Sequence, residues 1–113
     1  MLAKKYKLPV AAFLRKKTVG LKNQPYFNLK ISFSELNYSR FGVVISKKVS
    51  PKAVVRNKIK RIIFDFLRKK HFQEFPGKDI LIIIYPDAAK LEKEKLEEKL
   101  EIIKQVLNSE NRK

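Results

Sequence analysis

Residues 79–85, DILIIIY, form a nearly unbroken apolar run that Pro86-Asp87 closes. Seven residues is a strand's length, and an apolar strand without alternation has to be covered on both faces. The run therefore predicts a central strand, which the rest of the chain must cover on each side. It is far short of the roughly 20 apolar residues that cross a bilayer.

The other elements follow from periodicity. Phe27, Leu29, Ile31 and Phe33 alternate with Asn28, Lys30 and Ser32, which predicts a strand with one apolar face and one polar, basic face. Residues 40–46, RFGVVIS, give a second long strand, with Gly42 marking a bulge or a close backbone approach. Ser50-Pro51 opens a helix, the serine as N-cap and the proline at the first helical position. Val55, Ile59, Ile62, Ile63, Phe66 and Leu67 form its apolar stripe, and it frays near Lys70. Residues 8–17 read as a short helix with Val10, Phe13 and Leu14 on one face, and residues 18–24 as a turn or short edge strand. Residues 93–107 read as one amphipathic helix with Leu96, Leu100, Ile103 and Leu107 buried. Its other face mixes Glu and Lys and is expected to be solvated, not binding. The whole is an α+β domain over residues 1–113, with helices against a mostly antiparallel sheet and a frayed tail over 109–113.

Charge narrows the function. The 113 residues carry 27 Lys plus Arg against 11 Asp plus Glu, a net charge of +16. Residues 1–86 hold all of that excess, and between Arg40 and Lys70 there are 11 bases against the single acid Asp65. Such crowding costs stability through self-repulsion, and a polyanion relieves it with release of counterions. Lys52, Arg56 and Lys60, four residues apart, form one basic ridge on the helix. With no cysteine, disulfide scaffolds, thiol catalysis and thiolate zinc sites are excluded. The acids before residue 87 are Glu35, Asp65, Glu74 and Asp79, on different elements, and His71 is the one histidine. No phosphate loop, dinucleotide glycine pattern or nucleophile elbow occurs. The chain reads as a nucleic-acid binder without catalysis of its own. Residues 1–20 lack a secretory signal core, so the expected setting is the cytosol, away from membranes. Two surfaces offer binding: the basic helix for phosphates, and the polar sheet face, with Phe13 or Tyr26 at its rim, for single-stranded RNA. Phe13 reads equally well as ordinary core.

Residues 40–68, RFGVVISKKVSPKAVVRNKIKRIIFDFLR, resemble the signature region of the bacterial ribonuclease P protein component. The pieces are Arg40-Phe41-Gly42, Ser46-Lys47-Lys48 and the helical Arg56-Asn57-Lys58-Ile59-Lys60-Arg61. The remaining elements follow that family's αβββαβα order along nearly the whole chain. The resemblance implies a two-layer αβββαβα sandwich with a left-handed βαβ crossover. It also implies a ribonucleoprotein subunit, monomeric outside the complex, that helps remove the 5′ leader from precursor tRNA. In that family the RNA subunit is the catalyst, and Mg²⁺ is held mainly by that RNA and the substrate. The protein binds the RNA and holds the leader between the sheet and the first helix.

Carried over by position, the RNA-subunit contacts are Lys47, Lys48, Arg56, Asn57, Lys58, Lys60 and Arg61, and the basic ridge adds Lys52. The leader contacts are Phe13, Lys17, Asn28, Lys30 and Ser46. Several positions depart from the family pattern. Lys17 stands in place of a second cleft aromatic, Lys30 in place of Tyr, Phe64 in place of Arg, and Lys58 in place of Arg. Leader binding here is thus expected to lean on charge more than stacking. The alternative reading is a general structured-RNA-binding protein of ribosomal or chaperone type.

Overall fold

The computed structural model describes residues 2–13, 19–20 and 25–108. The elements run α1 (Val10–Phe13), β1 (Val19–Gly20), β2 (Phe27–Phe33), β3 (Arg40–Ile45), α2 (Ala53–Lys69), β4 (Lys78–Ile84), α3 (Lys93–Leu100) and α4 (Ile102–Asn108), with short 3₁₀ turns between some of them. The expected α+β class and element order are therefore present. The sheet order is β1-β2-β4-β3. β4 pairs antiparallel with β2 and parallel with β3, to which α2 links it in a βαβ crossover. β4 is thus an inner strand, as its unbroken apolar sequence required.

Register sorts the sheet into two faces. Phe27, Leu29 and Ile31 lie opposite Ile84, Ile82 and Ile80, which lie opposite Ile45, Val43 and Phe41. This face packs on α2, α3 and α4 through Ile59, Ile63, Phe66, Leu67, Leu96, Leu100 and Ile103, and it holds the main core. On the other face Lys30, Leu81 and Gly42 form one row, and Asn28, Ile83 and Val44 the next. Here α1 lies on the sheet, with Leu8, Phe13 and Leu81 buried together. The sheet therefore carries helix on both sides, fully on one and partly on the other. Gly42 makes the close approach expected of a strand glycine: a Cβ there would meet Leu81 Cδ1 at 3.1 Å and Val10 Cγ2 at 3.3 Å.

Four expectations need correction. Alternation places Phe33 inward, yet it is 45% exposed. Its partner across the strands is Lys78, which is buried and donates from Nζ to the Leu107 carbonyl at 3.1 Å. The lysine fills the end of the core and leaves Phe33 at the rim. Second, α2 starts at Ala53, two residues after the predicted Pro51. The Ser50 hydroxyl caps no helix and instead accepts the Lys52 N–H at 3.2 Å, a local turn that competes with helix entry. Third, the predicted helix over 93–107 breaks at Glu101, where i→i+3 bonds from Glu101 N to Glu98 O and Lys104 N to Glu101 O tighten the backbone. Its seam survives the break, since Leu96, Leu100, Ile103 and Leu107 are all buried. Fourth, α1 starts at Val10, two residues after the predicted Leu8, and is described through Phe13; the rest of its predicted length, with Leu14 and Lys17, and the tail over 109–113 lie outside the described residues.

Candidate nucleic-acid interface

The turn after β3 begins the basic surface. Ser46 accepts the Lys48 N–H on its hydroxyl at 3.2 Å and the Val49 N–H on its carbonyl at 3.0 Å. That turn leaves Lys47 and Lys48 exposed. The Arg56 guanidinium donates from Nη1 to the Ser50 carbonyl at 2.8 Å, so it braces this loop from the first turns of α2. Lys52, Asn57, Lys58 and Arg61 are exposed, while Arg56 and Lys60 are half-buried.

The α2 cations are split between two sides of the helix. Lys52, Arg56 and Lys60 run toward Phe64, which is buried beneath the Lys7 ammonium, 5.3 Å from its ring centroid. The N-terminal segment lies there alongside β3, Lys7 bridging Phe41 and Leu8 N–H donating to the Phe41 carbonyl at 2.8 Å. Lys7 and Lys60 line the same small hollow of about 200 Å³. Phe64 is thus a core contact, and Lys7 supplies a cation beside it. Lys58 and Arg61 lie on the other side of α2, toward α3. Sequence reasoning missed the N-terminal lysines, because nothing in the order of residues says that this segment docks beside β3.

The side of the sheet that α1 partly covers holds the second surface. Asn28 and Lys30 project from the face away from α2 and are half-buried; Ser46 stands just past the end of β3. The Asn28 Oδ1 is buried and accepts no hydrogen bond among the described residues. An orphaned buried acceptor costs free energy unless an outside donor meets it. Phe13 is 1% exposed, packed with Leu8 and Leu81, so it supports this face as core and presents no ring to a ligand. Tyr26 is half-buried against the main core with the Lys99 ammonium over its ring at 5.6 Å, away from this face. An aromatic that sequence reasoning passed over is Tyr85. It is 37% exposed, donates its N–H to the Tyr26 carbonyl at 2.9 Å, and extends the alternation of Leu81 and Ile83. That alternation was the signal for it, hidden by reading the whole run as buried.

Asp79, fully buried on the same face, is gripped by Arg40, whose guanidinium is held above its ordinary pKa chiefly by the hydrogen bonds to that carboxylate. His71 is exposed beside Glu74 at 3.2 Å. Among the described residues no three acidic or histidine side chains stand together in a way that could hold a metal ion. No helix among the described residues is long and apolar enough to cross a membrane.

Fold and surfaces together define a small basic α+β protein of the RNA-binding kind, with cations on a helix and a half-polar sheet. The family description "Ribonuclease P" matches residues 12–107, and the chain belongs to that family. The Psychrobacter ribonuclease P protein component is 33% identical over 98 residues, 80% of this chain and 75% of that protein. The Synechocystis ribonuclease P protein component is 44% identical over 52 residues, 46% of this chain; the chain spans only 42% of that relative's length. The solved Staphylococcus aureus RNase P protein superposes with a TM-score of 0.78 at 30% identity, covering 94% of this chain and 98% of that one.

Proposed function

We propose that this chain is the protein subunit of a ribonuclease P ribonucleoprotein, and that it helps an RNA catalyst remove the 5′ leader of precursor tRNA in the cytosol. What carries the reading is the placement of two polar surfaces on opposite sides of one sheet. The α2 cations and the Lys47-Lys48 turn lie on one side, and Asn28 and Lys30 lie on the other. A protein so built can grip the RNA subunit and a single strand at once. Lys47, Lys48, Lys52, Asn57, Lys58, Lys60 and Arg61 neutralise phosphates of the RNA subunit, and Arg56 also holds the loop in shape. Asn28, Lys30 and Ser46 meet the leader, with Lys17 supplying further charge. The protein performs no bond-breaking step. Mg²⁺ is assigned to the partner RNA and the substrate phosphates, where it activates the attacking water. Outside the complex the protein is monomeric.

The test is reconstitution of purified protein, bacterial ribonuclease P RNA and labelled precursor tRNA at a Mg²⁺ level where the RNA alone is nearly inactive. Accurate leader removal only with both components is the expected result. Salt-sensitive RNA binding without stimulation would favour the general RNA-binding reading instead.

A further inference from the structure

Between α2 and the start of α3 lies a cleft of about 490 Å³ lined by Lys58, Arg61, Ile62, Asp65, Lys69 and Lys93. Positions 58, 61, 62, 65 and 69 share one side of the α2 helix, and Lys93 faces them from the first residue of α3. A second hollow of about 260 Å³ shares Lys58, Ile62 and Lys93 and adds apolar walls from Val55, Ile59, Leu91 and Leu96, with the carboxylate of Glu92 in its lining. Among the described residues, no ion pair joins Lys58, Arg61, Lys69 or Lys93 to an acid. Four exposed cations therefore crowd one concave site around a single carboxylate, beside an apolar floor.

Cations beside an apolar hollow match the two halves of an unpaired nucleotide, a phosphate and a base with an exposed flat face. We propose that this cleft takes one unpaired nucleotide of the RNA subunit, its phosphate among Lys58, Arg61, Lys69 and Lys93 and its base against the apolar hollow. The proposal rests on the reading of α2 as the RNA-subunit contact and adds Lys69 and Lys93, which belong to neither surface described above. The RNA subunit is the source because Lys58 and Arg61 lie on the side of the sheet away from Asn28 and Lys30. An acidic peptide helix would need an apolar stripe several turns long, whereas this hollow sits beside a cleft rimmed by cations.

The chain has no cysteine, so Lys93→Cys and Lys95→Cys each introduce one attachment point for a photoreactive group. In the assembled holoenzyme, the probe at position 93 should cross-link to the RNA subunit, and the probe at exposed position 95 should not. Cross-linking at position 93 to precursor tRNA only, to another protein, or to nothing would overturn the proposal. In parallel, Lys93→Glu should weaken RNA-subunit binding about tenfold and flatten its salt dependence, with an unchanged melting curve. Lys95→Glu should leave binding as it was. If Arg61→Ala weakens binding and Lys93→Glu does not, the cleft proposal fails while the subunit reading stands. If the wild-type chain binds ribonuclease P RNA no better than unrelated structured RNA, the subunit reading itself fails.

Discussion

Arg40 holds Asp79 across two parallel neighbouring strands with a fork of hydrogen bonds, Nε to Oδ1 at 2.9 Å and Nη2 to Oδ2 at 2.7 Å. The carboxylate is fully buried and the guanidinium partly exposed. Removing the arginine takes this charged fork away from a buried carboxylate, which costs more than the pair contributes. Arg40→Leu should therefore destabilise the fold by about 3–5 kcal/mol in urea unfolding. Because its pKa is raised, Arg40's contribution is complete below the unfolded arginine value and is lost only as pH climbs through the still higher folded one. Arg40→Leu should thus cost the same stability at pH 6 as at pH 9, and a cost that differs between the two would contradict this assignment.

Asn28 carries an unmet acceptor, so it is expected to trade stability for binding. Asn28→Val should stabilise the free protein by about 1 kcal/mol, since it removes a buried oxygen that lacks a partner. The same variant should bind leader-bearing precursor tRNA less tightly and mature tRNA equally well. A loss of both stability and leader affinity would mean that the oxygen is satisfied inside the fold.

Lys30→Ala should weaken holoenzyme binding of precursor tRNA and spare mature tRNA. Equal losses for the two substrates would remove Lys30 from the leader surface.

Phe13 is the residue for which structure and resemblance part. As packed core, Phe13→Ala should cost about 3–5 kcal/mol, and Phe13→Leu less than about 1.5. Phe13→Leu should then keep its leader-dependent affinity. A leader-specific defect in a well-folded leucine variant would show a ring that stacks.

Arg61 is exposed on α2 and braces nothing described, so its effect should lie in binding alone. Arg61→Ala should weaken RNA-subunit affinity by about 1–3 kcal/mol and lower the salt slope by about one, with an unchanged melting curve.

Much of this was legible in the chain. Period-two alternation located β2 and the unbroken run located β4, because burial on one face or two leaves distinct patterns. The stripe from Val55 to Leu67 located α2 for the same reason. What the pattern hid was tertiary. Lys78 reads as a surface lysine, yet its stem closes the core and displaces Phe33. The break at Glu101 leaves the apolar seam intact, so periodicity runs straight through it. The motif from Arg56 to Arg61 marked the candidate interface by residue type, but two of its cations face the N-terminal segment and two face α3. No linear spacing could separate them, since the partners come from distant parts of the chain.

The strand order β1-β2-β4-β3 has a consequence for how the molecule is made. β2 and β3 are synthesised next to each other but are not neighbours in the sheet; each takes β4 as its partner. Until residues 78–84 leave the ribosome, neither long strand has β4 beside it, and the polar face of the sheet lacks its middle strand. The excess positive charge has by then already been translated, all of it before residue 87. The basic residues are thus made before the strand that joins the two halves of the sheet.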